Sequence, residues 1–479
     1  MRGTERWLRR LCAGGIAALG LALLPIGASA APITINGTAT DSFGLTFTYK
    51  IEVPDAWNGT LALYSHGYSF GASPAMDVGD AETGAWMLSN GYALAGSSYS
   101  TSGWALQQAF ADQMQVLDLF NSSVGHPTRT IAWGHSLGGM ITAGLVQLYP
   151  DRFTAALPMC GVVAGGAGVW NQGLDSEFAL ATLQAPFKMV NFTSFGDAAA
   201  NFGVASAALA AAQNTPQGRA RIALSAALAD VPGWFDPASP EPAATDFASR
   251  ELNQFNWDNS PDFQFGFFGR YELELRAGGN FSWNTGVDYR IQLSHSVDRA
   301  EVTALYKTAG LNLNQELDTL NAAPRISVTN PNALAYITKY ITYNGNLNMP
   351  VLTMHTTGDG LVEVTDENAY ASVVRSAGDN SMLRQVFVHR AGHCAFSPAE
   401  TITAFQTLIH RLDTGRWEDS INPTSMNSAA TSLGAAFNVI SVPNPAPPPQ
   451  DLIVPAAASF INFQPDQFLR PFDARDVAA

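Results

Sequence analysis

Apolar and polar residues alternate along ITINGTATDSFGLTFTYKIEVP (33–54), on either side of the turn cluster Asp41-Ser42-Phe43-Gly44. A period of two around a turn predicts an antiparallel hairpin. The pattern then changes. TLALYSHGY (60–68), GYALAGSSYS (91–100), TRTIAWGH (128–135) and FTAALPMCG (153–161) are short, nearly unbroken apolar runs, the signature of strands buried on both faces. Between them WALQQAFADQMQVLDLF (104–120) and GGMITAGLVQLYP (138–150) carry helical spacing, the second stopped by Pro150.

From 163 to about 345 the strand–helix alternation disappears, and the chain turns rich in alanine and then in aromatics. It resumes with MPVLTMHTTGD (349–359), the helical TDENAYASVVRSA (365–377), LRQVFVHRAGH (383–393) and SPAETITAFQTLIHRLDTG (397–415). Ser397, Pro398 and Glu400 form a helix start with a capping box. Strands alternating with helices predict an α/β fold with a mostly parallel central sheet and helices on both faces. The stretch 163–345 is then a large, mainly helical insertion. The expected divisions are a signal peptide at 1–30, a first core segment at 31–162, a cap at 163–345, and a second core segment at 346–440. A tail at 441–479 opens on the proline-rich NPAPPPQD (444–451) and is expected to pack along the surface.

Composition narrows the function. The 479 residues are 47 % apolar and 14 % charged, as in a well-buried globular protein, and the net charge of −15 argues against binding to nucleic acid or to an anionic membrane surface. At the N-terminus, MRGTERWLRR precedes the apolar LCAGGIAALGLALLPIG and the small residues Ala28 and Ala30. That is the layout of an export signal cleaved near Ala30, placing the mature chain outside the cytoplasm or in a periplasm, with no membrane segment after cleavage. Of three cysteines, Cys12 leaves with the signal, and Cys160 and Cys394 remain as an even pair in an oxidising compartment. Both fall at the carboxyl edge of a parallel sheet, so a Cys160–Cys394 disulfide is expected, pinning the loop that carries His393.

The candidate chemistry starts at IAWGHSLGGM (131–140). Gly134-His135-Ser136-Leu137-Gly138 fits G-x-S-x-G between a strand and a helix, a sharp turn that lifts a serine hydroxyl over a helix N-terminus. A serine nucleophile needs a base, and the base needs an orienting acid. His393, in AGHCAF between the last strand and the capped helix, stands where the base is wanted, whereas His389 four residues earlier reads as a strand residue. His135 is expected to point away from the turn. Asp359, between Gly358 and Gly360 at a strand end, is the candidate acid, while Glu363 and Asp366 read as first-turn residues of the next helix. For a tetrahedral oxyanion the candidate donors are the N–H groups of Leu137 and of Tyr68, the latter in the turn His66-Gly67-Tyr68.

These four motifs, SHGY, GHSLGG, GDGLV and GHCAF, resemble the α/β-hydrolase family in order and spacing over about residues 60–162 and 349–413. The resemblance implies a Ser136–His393–Asp359 triad, a cap inserted before the acid strand, and likeness to secreted bacterial esterases and amidases. It implies cleavage of a carboxylic ester through an acyl-enzyme, with amide or peptide cleavage by the same triad as the alternative. A non-catalytic binding protein on the same scaffold is a third reading. Trp257, Phe265, Phe267, Phe268 and Trp283 are candidate pocket residues for an apolar or aromatic acyl group. No cofactor and no metal are called for: H-E-x-x-H is absent, and the glycine-rich AGGAG (164–168) lacks a P-loop lysine. The expected partner is a small-molecule ester or amide.

Overall fold

The computed structural model describes residues 31–417, 421–442 and 452–472. The expected signal segment and the proline-rich linker lie outside the described residues. Strands β1 (Ile33–Thr40) and β2 (Thr46–Val53) form the antiparallel hairpin around Asp41–Gly44. They are followed by β3 (Thr60–Ser65), β4 (Ala93–Ser97), β5 (Arg129–His135), β6 (Ala155–Met159), β7 (Val351–Gly358) and β8 (Leu383–Ala391). Further on, β9 (Val439–Val442) and β10 (Leu452–Pro455) pair with each other, and β11 (Phe460–Ile461) adds an edge. The nine-stranded sheet has the order β1-β2-β4-β3-β5-β6-β7-β8-β11. From β4 to β8 every neighbouring pair is parallel, and β1, β2 and β11 are antiparallel edges.

Side-chain alternation along the inner strands divides the core into two layers. Leu61, Leu63 and Ala132 face one layer, built with helices α1 (Ala81–Ser89) excluded and α2 (Leu106–Ser123) and α3 (Leu137–Leu148) included through Phe110, Leu117, Met140 and Ile141. Ala62, Tyr64, Ile131 and Trp133 face the other, with Met87 of α1. Burial on both faces explains why these strands read as unbroken apolar runs.

Between β6 and β7 the described chain carries helices and no strand: α4 (Gly166–Leu183), α5 (Phe195–Ala212), α6 (Pro216–Ala227), α7 (Phe247–Asp258), α8 (Phe268–Ala277), α9 (Tyr289–His295), α10 (Arg299–Ala309), α11 (Leu313–Ala322) and α12 (Pro331–Ile341). Their apolar faces make separate clusters, among them one around Phe178, Leu224, Tyr289 and Tyr306 and one around Phe187, Ile222 and Phe267. The core ends with α13 (Asp366–Ala377), α14 (Pro398–Thr414) and α15 (Pro423–Ser432). Phe405 and Leu408 of α14 complete the second core layer. Among the described residues no helix is long and apolar enough to cross a membrane.

The tail is more than a surface strap. Phe460 of the edge strand β11 pairs with Val388 of β8, and Phe460 and Phe468 are each 2 % exposed. Arg470 pairs with the buried Asp175 of α4 and donates to the carbonyl of Trp283 at 2.8 Å. The tail thus ties the sheet edge to the inserted helices. No local pattern in the sequence signals this, because both partners lie far away in the chain.

Candidate active site

The turn from β5 into α3 forces Ser136 to φ 57° and ψ −124°, a left-handed backbone that a non-glycine residue adopts only under strain. The neighbouring glycines are required by close approach. A Cβ on Gly138 would lie 1.9 Å from the Ser65 carbonyl oxygen at the end of β3, and one on Gly134 would lie 2.3 Å from the same oxygen. Either would push α3 off the sheet and carry Ser136 with it. The Ser136 N–H donates to the Met159 carbonyl at 3.0 Å, which fixes the turn to β6.

His393 Nε2 lies 2.8 Å from Ser136 Oγ, and His393 Nδ1 lies 2.7 Å from Asp359 Oδ2. The structure thus brings together three groups that come from the ends of β5, β7 and β8. Asp359 Oδ1 accepts the N–H groups of Leu361 and Val362, each at 3.0 Å. Burial alone would raise the Asp359 pKa, but His393 and His355 outweigh it and hold the carboxyl well below the usual range. The loop bearing His393 is braced at several points. Gly392 N–H donates to the Gly358 carbonyl at 3.0 Å. Arg390 donates to the Ala395 carbonyl at 2.7 Å and pairs with Glu400 at 2.7 Å. Glu400 also closes the capping box of α14 with Ser397. Cys394, the next residue after His393, is disulfide-bonded to Cys160, with Cα atoms 5.4 Å apart and a sequence separation of 234.

The rival residues go elsewhere. His389 is 3.6 Å from Glu241 and 3.4 Å from Thr357 Oγ1. His135 Nδ1 meets the Tyr64 hydroxyl at 3.1 Å, and burial lowers its pKa to about 4, so it is neutral. Asp366 accepts from the Ala164 N–H at 3.2 Å, and Glu363 lines the cavity described below without bonding His393. The 66–68 turn abuts the serine: a Cβ on Gly67 would stand 3.5 Å from Ser136 Cβ. Tyr68 and Leu137 line the same cavity as Ser136.

That cavity, of about 160 Å³, is walled by Trp104, Trp170, Trp257, Phe263 and Phe265. Of the five aromatics expected here, the structure brings Trp257 and Phe265 to the cavity. Phe267 is instead buried within an apolar cluster, Phe268 stacks on Phe195, and Trp283 packs against Phe472. The cavity also holds groups the sequence reading missed: Glu177, Asp258, Asp262 and Arg270. Burial raises the pKa of Glu177 to about 8 and of Asp258 to about 7. His355, four residues before Asp359 on β7, was missed as well. A histidine in an apolar strand gave no signal that it faced the acid.

Among the described residues no group of histidine, cysteine and carboxylate side chains is placed to hold a metal ion.

A mostly parallel sheet and these strand-end motifs define an α/β-hydrolase fold, and the chain is a serine hydrolase of the esterase or amidase type. The prolyl oligopeptidase family matches residues 91–167, which run from just before β4 through the serine turn to the start of α4. An o-phthalyl amidase from Xanthobacter agilis is 29 % identical over 411 residues, which cover 80 % of this chain and 88 % of that protein. An esterase from Aspergillus oryzae superposes with a TM-score of 0.41 at 12 % identity, covering 89 % of this chain and 84 % of that one. Feruloyl esterase B from the same organism superposes with a TM-score of 0.38 at 14 % identity, over 80 % and 81 %.

Proposed function

We propose that this protein hydrolyses the carboxylic amide or ester of a small aromatic acyl group through an acyl-enzyme on Ser136. The observation that carries this reading is the Ser136–His393–Asp359 relay opening on an aromatic-walled cavity. A cavity of about 160 Å³ is the size that accepts a single benzene ring.

In the first step His393 Nε2 takes the proton of Ser136 Oγ as the oxygen attacks the acyl carbon. The N–H groups of Leu137 and Tyr68 receive the charge that develops on the carbonyl oxygen. Asp359 holds the imidazole tautomer and stabilises its protonated form. His393 then returns the proton to the departing amine or alkoxide, and the acyl group stays on Ser136. Water, deprotonated by the same imidazole, releases the acid and restores the serine.

The match to an o-phthalyl amidase over 80 % of this chain favours the amide as the bond cleaved. Ester cleavage is the second reading, since the same relay serves a better leaving group. The insertion 163–345 acts as the cap that roofs the acyl site. The Cys160–Cys394 disulfide and the export-like N-terminus support action in an oxidising compartment outside the cytoplasm. Matched anilides and phenyl esters of benzoic, cyclohexanecarboxylic and hexanoic acids test the reading. Aromatic acyl groups should lead by about tenfold in kcat/KM, the worth of one well-filled ring pocket. Equal rates for all three acyl groups would remove the aromatic assignment.

A further inference from the structure

Two residues past Tyr68 the chain presents Phe70, which is 60 % exposed. A single exposed apolar side chain needs no explanation, but this one is braced and stands against the walls of the cavity. The Gly103 N–H donates to the Ser69 carbonyl at 2.7 Å, and Ser69 Oγ donates to the Gly71 carbonyl at 2.6 Å, so the backbone is held on either side of Phe70. The Phe70 ring centroid lies 4.9 Å from that of Tyr68 and 5.4 Å from that of Phe265. Tyr68 in turn meets Phe265 at 5.0 Å and Trp104 at 5.4 Å. Tyr68, Trp104 and Phe265 line the cavity together with Ser136, and Phe70 is not among the lining residues. The four rings therefore make one aromatic edge that runs from the cavity wall out to solvent at Phe70.

The substrate has two halves bonded to the carbonyl that Ser136 attacks. A cavity of about 160 Å³ holds one ring. With the acyl ring inside, the leaving group lies at the mouth, on the side of His393, which protonates it as it departs. The segment that carries Phe265 covers that side. Trp257, near the end of α7, packs on the loop of the relay's acid, where a Cβ on Gly360 would lie 2.4 Å from its ring. Asp262, in the short helical turn Pro261–Gly266 that follows, lies in the electrostatic field of His393 and Asp359. Phe265 belongs to the same turn, and Phe70 packs against it.

We propose that Phe70 and Phe265 form the leaving-group subsite, and that the amine or alcohol released carries an aromatic ring that packs on Phe70. This rests on the aromatic-acyl reading above and names the other half of the substrate. A ring laid there takes the exposed face of Phe70 out of water. Edge or offset contact between two aromatic rings adds a preference over an aliphatic ring of similar size.

The test uses the benzyl and cyclohexylmethyl esters of benzoic acid and the matching N-benzyl and N-cyclohexylmethyl amides. Both leaving groups are attached through a methylene, so the bond cleaved is nearly the same. The wild-type protein should favour the benzyl leaving group about fivefold in kcat/KM, the worth of one aromatic contact. In Phe70→Ala that preference should fall below about twofold, whereas Phe70→Tyr, which keeps the ring, should retain it. A ratio is read because general damage to the site lowers both rates together. The methyl esters of benzoic and cyclohexanecarboxylic acids report the acyl side, and the ratio of their rates should be the same in Phe70→Ala as in the wild type. Acyl transfer gives the answer without a variant: added benzyl alcohol should capture the benzoyl-enzyme about fivefold better than cyclohexylmethanol, because the entering alcohol occupies the subsite of the leaving one. Equal rates for the two leaving groups in the wild type, an unchanged preference in Phe70→Ala, its loss in Phe70→Tyr, equal capture by the two alcohols, or a change in the acyl ratio instead would overturn the subsite. Turnover of methyl benzoate without a leaving-group preference removes this inference alone. Failure of every ester and amide together with no labelling of Ser136 by a fluorophosphonate removes the functional reading as well.

Discussion

His355 Nε2 lies 3.6 Å from Asp359 Oδ2, both side chains fully out of solvent. The same nitrogen is 2.9 Å from the Val362 carbonyl oxygen, and Nδ1 is 3.1 Å from Glu367 Oε1. A carbonyl oxygen can only accept, and Glu367 already accepts from Thr353 and Gln385. Both ring nitrogens of His355 therefore carry protons, and the ring is a buried cation beside Asp359. Burial by itself would lower its pKa, but the bonds to Asp359 and Glu367 outweigh burial and raise it to about 10 from an ordinary 6.5.

This has a signed consequence. A group whose pKa is higher folded than unfolded adds stability that is complete below the unfolded value and is lost as pH rises towards the folded one. Thermal stability of the wild-type protein should thus fall between about pH 6.5 and pH 10. His355→Gln, measured by calorimetry across that range, should show a shallower fall. Its kcat should drop roughly tenfold to a hundredfold, the worth of a hydrogen bond to a charged group. A wild-type melting temperature that is flat over this range would contradict a protonated His355.

The Cys160–Cys394 bond fastens the end of β6 to the residue after His393. Chain-entropy arguments give a loop of this size about 5.5 kcal/mol, which for a protein of this length corresponds to about 5 °C in Tm. Reduction should therefore lower activity before it lowers helix content, because the His393 loop is freed first. Mass measurement after denaturing alkylation of residues 31–479, which carry Cys160 and Cys394 alone, should find no alkylated thiol without reductant and two with it. Two alkylated cysteines without reductant would rule the bridge out.

Close approach makes a sharper contrast between two glycines of α3. The Cβ of a Gly138→Ala variant would meet backbone, the Ser65 carbonyl oxygen at 1.9 Å, whereas that of Gly144→Ala would meet the ring of Phe110 at 2.5 Å. A ring tip can move and a β-strand carbonyl cannot. Gly144→Ala should cost about 1–3 kcal/mol of stability and keep its activity. Gly138→Ala should displace Ser136 and lose at least about a hundredfold in kcat/KM. Equal activity in the two variants would show that the turn is not held as described.

Much of this layout is legible in the sequence because it is local. The parallel strands announce themselves as short apolar runs, and Ser136, Asp359 and His393 each sit in a small-residue turn at the end of such a run. The helix α1 is silent: its buried positions are Thr83, Gly84 and Met87, too small and too polar to give a helical apolar stripe. The tail is silent for a different reason, since Arg470 meets Asp175 across 295 residues. Arg270 and Glu177 escape notice because the inserted segment 163–345 has no internal period that marks which face turns to the cavity. Trp257 and Phe265 can be guessed from aromatic density, but the same density also marks Phe267, Phe268 and Trp283, which pack elsewhere.

The account stands on Ser136 as the nucleophile activated by His393, and fluorophosphonate labelling of the purified protein tests this most directly. The wild type should take up one equivalent on Ser136, located by peptide mass, and Ser136→Ala should take up none and lose about a thousandfold or more in kcat. His393→Ala should slow labelling as severely, while His389→Ala should label close to the wild-type rate. Labelling at another residue, or near-wild-type turnover by Ser136→Ala, would contradict the account.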